Sequence, residues 1–321
     1  MSGSDPLPGE FSLIARHFRP LAGPGALGLG DDAAVFAPPP GREMVVTADA
    51  MVAGVHFLPG DPPDLVARKL LRVNLSDLAA MGADPLGYVL TLSAPRETPD
   101  GWFAGFAAGL AEDQARFAIA LLGGDTTSTP GPLSLSITAL GTVAPGAALH
   151  RRGAEAGMEI WVSGTIGDAA LGLAALRGLL PDPGGELAAR YRLPSPRLGL
   201  ALAAIAAAAL DVSDGLVQDL GHLCRAGGVG AEIEAAAVPA SPAARAAGPE
   251  WLPTRLTGGD DYELLLALPP ANAAALRALA AATGVPFARI GHFTAGPAHV
   301  AVRDGAGREM VLDKPGWSHF P

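Results

Sequence analysis

The sequence predicts two domains of mixed architecture, α/β in the first half and α+β in the second. Three observations carry this expectation. The chain has 321 residues, beyond the length at which one core usually keeps growing. Strand-like and helix-like patterns are mixed through both halves. A turn-rich, basic stretch at 145–153, with Pro145, Gly146, Arg151, Arg152 and Gly153, separates them. The expected domains are therefore 1–147 and 148–321.

In the first half, 33–36 and 44–47 read as paired strands joined through Pro38-Pro39-Pro40-Gly41. From Asp64, a suitable N-cap, to Met81 before Gly82, apolar residues recur at helical spacing. Asn74 and Asp77 are three apart on that helix and share a face. Strands are expected at 89–93, 118–122 and 133–143, with a helix over 102–117. In the second half, a strand at 159–163 leads through Gly164 and Gly167 into a helix from about Asp168. An alanine-rich helix is expected over 198–209 and another over 214–226, ended by Gly227-Gly228. Strands follow at 231–234 and 262–268, then a helix at 272–282 and strands at 287–291 and 299–303.

Composition excludes several classes. Half of the residues are hydrophobic (49%) and only 17% charged, as in a chain with a large core. The net charge of −10, without a basic run, argues against nucleic-acid binding. Cys224 is the only cysteine, which excludes disulfides, thiolate zinc and iron–sulfur clusters within one chain. The N-terminus lacks a signal-peptide pattern. The longest apolar run, 199–210, is too short to span a bilayer. A cytoplasmic protein without membrane partners is expected.

Six short segments pair aspartate with Gly, Ser, Thr or Asn: Gly30-Asp31-Asp32, Thr47-Ala48-Asp49, Asn74-Leu75-Ser76-Asp77, Gly123-Gly124-Asp125-Thr126-Thr127, Asp211-Val212-Ser213-Asp214-Gly215 and Gly258-Gly259-Asp260-Asp261-Tyr262-Glu263. Two carboxylates about 4 Å apart repel by roughly 4 kcal/mol at an effective dielectric near 20. Gathered together, they call for a cation, and Mg2+ takes oxygen ligands and bridges carboxylates to phosphates. The usual phosphate devices are missing: Lys69 and Lys314 are the only lysines and neither follows a glycine, so there is no Walker loop. Gly28-Leu29-Gly30 lacks the third glycine of a dinucleotide fingerprint. Nucleotide phosphates would have to be held by metal ions and backbone amides.

Each segment also has a plainer reading. Gly123-Gly124-Asp125 after a strand is commonly a turn. Ser213 or Asp214 suits a helix N-cap, which leaves Asp211 unexplained. A carboxylate at Asp77 on a mostly apolar helix favours a metal, because unpaired burial is costly. His56 and Trp317, taken alone, are an ordinary histidine and a terminal anchor.

In order, these segments resemble the thiamine-monophosphate kinase family of the aminoimidazole-ribonucleotide synthetase-like superfamily. The resemblance adds Gly9-Glu10-Phe11, His56-Phe57-Leu58, the continuation of the Asn74 segment to Pro85, and Gly316-Trp317-Ser318-His319-Phe320. It covers the chain from about Gly9 to Phe320. It implies an N-terminal ATP- and metal-binding domain whose four-stranded sheet pairs in a homodimer, and a C-terminal α+β domain. It implies several Mg2+ ions at Asp32, Thr47, Asp49, Asp77, Asp125, Asp211 and Asp214, with ATP as co-substrate at Gly124, Asp125, Arg151 and Ser213. Substrate contacts are implied at His56, Asp260 and Trp317, and Phe117 near the adenine. Asp125 and Asp214 are the residues expected to carry catalysis.

Two departures stand out. Ala48 replaces a threonine common in the family, so only its backbone carbonyl could serve a metal. Asp260 replaces a glutamate one methylene longer. The expected reaction is direct in-line transfer of the ATP γ-phosphoryl group to thiamine monophosphate. The alternatives are a sister ATP-dependent synthetase of the superfamily and a non-catalytic nucleotide or thiamine-phosphate binding module.

Overall fold

A computed structural model describes residues 9–319, so Phe320 of the terminal motif lies outside the described residues. The chain divides into two compact units, Met1–Leu78 with Asp84–Pro145 and Ala79–Ala83 with Gly146–Pro321.

The first unit opens with a short helix, α1 (Glu10–Leu13), and is built on four strands, β1 (Glu43–Val52), β2 (Asp84–Pro95), β3 (Ala120–Thr129) and β4 (Ser134–Val143), in the order β1-β4-β2-β3. β4 is antiparallel to β1 and β2, and β2 is parallel to β3. That parallel pair needs a crossover, which α3 (Asp100–Phe117) supplies. Helix α2 (Pro63–Ala80) links β1 to β2. One face of the sheet is apolar and buried, with Met51, Leu135, Ile137, Tyr88, Leu90 and Leu92. On the other face, β1 presents Met44, Val46, Ala48 and Ala50, all exposed.

Between α2 and α3, Asp113 is fully buried and takes two nitrogens of Arg72 at 2.6 and 2.9 Å and Nε of Arg68 at 3.2 Å.

The second unit has a six-stranded sheet in the order β10-β7-β9-β5-β8-β6. Its strands are β5 (Glu159–Ser163), β6 (Ala208–Asp211), β7 (Gly230–Glu234), β8 (Leu264–Leu268), β9 (Phe287–Thr294) and β10 (Val300–Arg303). Its helices are α4 (Asp168–Leu176), α5 (Glu186–Arg192), α6 (Leu216–Gly227), α7 (Pro242–Ala246), α8 (Leu252–Thr257) and α9 (Ala273–Thr283). β8 is an unbroken apolar run because both its faces are covered. Leu265 and Ala267 pack with residues of α6 and α8, while Leu264, Leu266 and Leu268 pack with Ala273 and Leu276 of α9.

Four expectations are corrected. Residues 33–36 form no strand; the Pro38-Pro39-Pro40 run removes the donors a hairpin would need, and β1 pairs with β4 instead. The stretch 198–209 is not a helix. Gly199 takes φ 73°, Leu200, Leu202 and Ala206 pack into the core, and the stretch ends in β6, which pairs with β8. Tertiary packing there outweighs alanine's helix propensity. The segment Gly123-Gly124-Asp125-Thr126-Thr127 lies within β3 and not in a turn. β8 begins at Leu264 and not at Tyr262, whose φ of 52° is left-handed.

Candidate functional site

In the first unit, a cavity of about 470 Å³ lies against β2 and β3. Its lining includes Asp31, Asp32, Thr91, Gly123, Gly124 and Asp125, over apolar Phe18 and Leu29. Leu27, Gly28 and Leu29 all have left-handed φ, a tight reversal that delivers Asp31 and Asp32 to the cavity. Asp125 stands opposite Thr91 in the β2–β3 ladder. Gly124 has to be glycine, since a Cβ there would meet the Leu90 carbonyl oxygen at 1.9 Å. No Lys or Arg is among the described residues that line this cavity. Its polar donors are carboxylates, threonine hydroxyls and backbone groups, a set that suits a hard divalent cation.

A second group sits at the opposite edge of the same sheet. Thr47 and Asp49 share the inner face of β1 with Met51. Thr47 Oγ1 donates to Asp77 of α2 at 2.5 Å, and the Asp49 amide donates to Asn74 Oδ1 at 3.0 Å. The shared face of Asn74 and Asp77 is thus the one turned to β1. Ala48 points its methyl to the other side, so only its backbone could reach what Thr47 and Asp49 reach. His56 Nδ1 accepts the Val52 amide at 3.0 Å, and buried Lys69 donates to the His56 carbonyl at 2.9 Å.

Strand order separates the two groups. β1 and β3 are the two edges, roughly 14 Å apart at 4.8 Å per strand. Among the described residues, no three His, Cys, Asp or Glu side chains converge to hold a metal.

In the second unit, three loops meet. The Asp260 amide donates to the Ser213 carbonyl at 2.9 Å, Tyr262 to Val212 at 2.8 Å, and Trp317 to Asp214 at 2.9 Å. Gln218 Nε2 bonds Asp214 Oδ2 at 3.2 Å and the Trp317 carbonyl at 2.6 Å. Two glycines allow this approach: a Cβ at Gly259 would lie 2.2 Å from the Ser213 oxygen, and one at Gly316 2.6 Å from the Asp214 oxygen. Asp214, Asp260 and Trp317, far apart in sequence, are therefore neighbours. Asp211 closes β6 just before them and is buried. The Trp317 indole is 47% exposed, with Lys314 5.8 Å over the ring.

Neither Ser213 nor Asp214 caps α6. Asp219, inside the helix, accepts the amides of Ser213, Asp214 and Gly215 at 3.0, 3.0 and 3.2 Å, which leaves the Asp214 carboxylate to the loop cluster. Burial pushes the Asp219 carboxyl up to about 7, against the pull of those amides. Its signal in the sequence is only an acidic residue in the first turn.

Arg151 is exposed. Its charge helps Arg225 and burial hold His222 below the usual imidazole range, burial being the largest cause. Arg72 and Arg116 each lie 5.4 Å from the Phe117 ring. Cys224 is buried in α6, and burial raises its thiol to about 11, so thiolate chemistry at neutral pH is not available to it. Among the described residues, no helix is long and apolar enough to cross a membrane.

Residues 30–143 match the family AIR synthase related protein, N-terminal domain, and residues 155–304 match AIR synthase related protein, C-terminal domain. The chain is 47% identical to thiamine-monophosphate kinase of Caulobacter vibrioides over 322 residues, covering 97% of this chain and 91% of the relative. It is 43% identical to thiamine-monophosphate kinase of Escherichia coli K12 over 325 residues, covering 97% and 98%. Among solved structures it resembles the thiamine-monophosphate kinase from Stenotrophomonas maltophilia, with TM-score 0.80 and 42% identity over 88% of this chain and 90% of that one. It also resembles AaThiL complexed with AMPPCP and TMP, with TM-score 0.76 and 27% identity over 97% of each chain.

Proposed function

The chain belongs to the thiamine-monophosphate kinase family of AIR synthase related proteins, and from that premise we propose how its residues carry the family's reaction. It is a kinase that phosphorylates thiamine monophosphate with ATP. The observation that carries the assignment of residues is the pair of polar clusters: the Asp32–Gly124–Asp125 cavity in one unit, and the Asp214–Asp260–Trp317 cluster in the other.

The acceptor is already an anionic phosphate oxygen, so no strong base has to remove a proton from it. The work left to the protein is positioning and charge neutralisation. Gly124, without a side chain, lets β3 come close to the ATP phosphates, and Asp125 and Asp32 set the charge of that cavity. Arg151 and Ser213, both of the second unit, are ATP contacts that the family resemblance suggests. In the second unit, the Asp260 carboxylate pairs with the cationic thiazolium or the aminopyrimidine, and the half-exposed Trp317 face stacks on a ring. His56, held by the Val52 amide on its Nδ1, is the proposed substrate contact in the first unit.

Mg2+ would be held by Asp32 and Asp125, by Asp49, Asp77 and Thr47 with the Ala48 carbonyl, and by Asp211 and Asp214. Such ions would neutralise phosphate charge. Incubated with Mg2+, ATP and thiamine monophosphate, the protein is expected to form thiamine diphosphate and ADP, and excess chelator to abolish both. ATP binding without product would replace this reading with that of a binding module.

A homodimer belongs to the same proposal. β1 is an edge strand whose outer face exposes Met44 and Val46, the latter 59% accessible, a surface that favours a partner. The metal-ligand candidates are split between the two sheet edges, and a second copy would bring one edge group to the other. Light scattering is expected to give twice the chain mass, and mixing inactive Asp49→Asn and Asp125→Asn chains to restore part of the activity. A monomeric, fully active enzyme would refute it. A cytoplasmic location accords with ATP as co-substrate.

A further inference from the structure

The segment 258–263 alternates in a way the reaction does not require. Asp260 and Tyr262 have φ of 73° and 52°, left-handed conformations that side chains rarely hold and that persist only when the surroundings enforce them. Tyr262 Oη donates to Asp260 Oδ1 at 3.4 Å. The residues between and after, Asp261 and Glu263, are 1% and 0% exposed. Asp261 accepts the Gly167 and Ala169 amides at 2.6 and 3.2 Å, at the start of α4. Glu263 accepts Arg197 Nε and Nη2, both at 2.6 Å, Arg190 Nη2 at 2.9 Å and Ser163 Oγ at 2.6 Å. The Ser163 hydroxyl in turn accepts the Leu264 amide at 2.8 Å.

The two arginines do not contribute equally. Arg190 reaches Glu263 through one nitrogen, and its Nε is buried without a partner. Arg197 grips both carboxylate oxygens in the bidentate geometry that fixes orientation as well as distance.

We infer that Arg197 and Glu263 are positioning residues for thiamine monophosphate. Their bidentate pair, with Asp261 anchored on the start of α4, forces the strained turn that presents Asp260 beside Asp214 and Trp317. This rests on the reading of Asp260 as a substrate contact. Arg197 touches no substrate in this account. It acts through Glu263 on the backbone of residues 260–262. A lysine in its place keeps the charge and loses the bidentate grip, so the turn relaxes while the fold holds.

The test compares wild type, Asp260→Ala and Arg197→Lys by steady-state kinetics, with Tm measured for each. In Arg197→Lys, KM for thiamine monophosphate is expected to rise roughly tenfold with KM for ATP unchanged, since displacing a binding group weakens one substrate only. A purely structural role would lower kcat and Tm and leave both KM values alone, and that result would overturn the inference. So would an unchanged KM in Arg197→Lys beside a raised KM in Asp260→Ala. If Asp260→Ala leaves KM for thiamine monophosphate unchanged, the Asp260 contact fails and the inference falls with it. Should Arg197→Lys fold poorly, Glu263→Gln, of the same shape, is measured in the same way with the same expectations.

Discussion

Asn in place of Asp125 lowers the formation of thiamine diphosphate by roughly a hundredfold or more, the scale on which removing one charge-stabilising group acts at a phosphoryl-transfer site. The substitution keeps size and shape and removes one negative charge. Asp125 is exposed on β3 and lines the cavity, so it carries no packing. The ladder that holds it, with Gly124 against Leu90 and Asp125 against Thr91, is made by the backbone. Tm and far-UV circular dichroism are therefore expected to stay at the wild-type values while kcat collapses. Turnover within about twofold of wild type would remove Asp125 from the catalytic set, since charge removal at such a site does not go unfelt.

The second large effect is on stability. Ala in place of Asp113 is expected to cost roughly 3–5 kcal/mol, because it takes the buried carboxylate away from two buried guanidinium groups. Arg72 is 2% exposed and Arg68 9%, and Asp113 takes nitrogens from both. Glu112, which also pairs with Arg68 at 2.8 Å, is largely exposed and cannot take over from Asp113. The clasp joins α2 to α3 beneath the sheet, away from the cavity. Chemical denaturation should show a lowered midpoint, with kcat per folded molecule retained. A loss under about 1 kcal/mol would mean that the arginines find water or other partners.

Helices α2 and α3 and strand β4 were legible because periodicity, Gly82 and burial all agree. The run 198–209 was not, because alanine content favours a helix wherever packing is silent, and here a strand slot beside β8 was open. In Gly123-Gly124-Asp125, the glycines suggest a turn after the strand. At this edge Gly124 serves the opposite purpose, clearing the Leu90 carbonyl. The six acidic segments were visible one by one, but their grouping depends on strand order. β4 enters between β1 and β2, and nothing local in the sequence says so. That is why Asp49 and Asp125, read as one ligand set, stand at opposite edges. Asp261 and Glu263 passed as ordinary members of a motif, because an anchor is recognised only by what it holds.

The start of α6 has a consequence for any anion that approaches the second unit. Three consecutive amides at the head of a helix are an anion receptor that many phosphate-binding proteins leave vacant for their ligand. Here the receptor is already filled from within, by the carboxylate of Asp219. A phosphate drawn to this turn finds no open amides and meets the Asp214 carboxylate instead. The fold has closed a site that would attract phosphate directly, so an anion held at this turn would need its positive charge from another source.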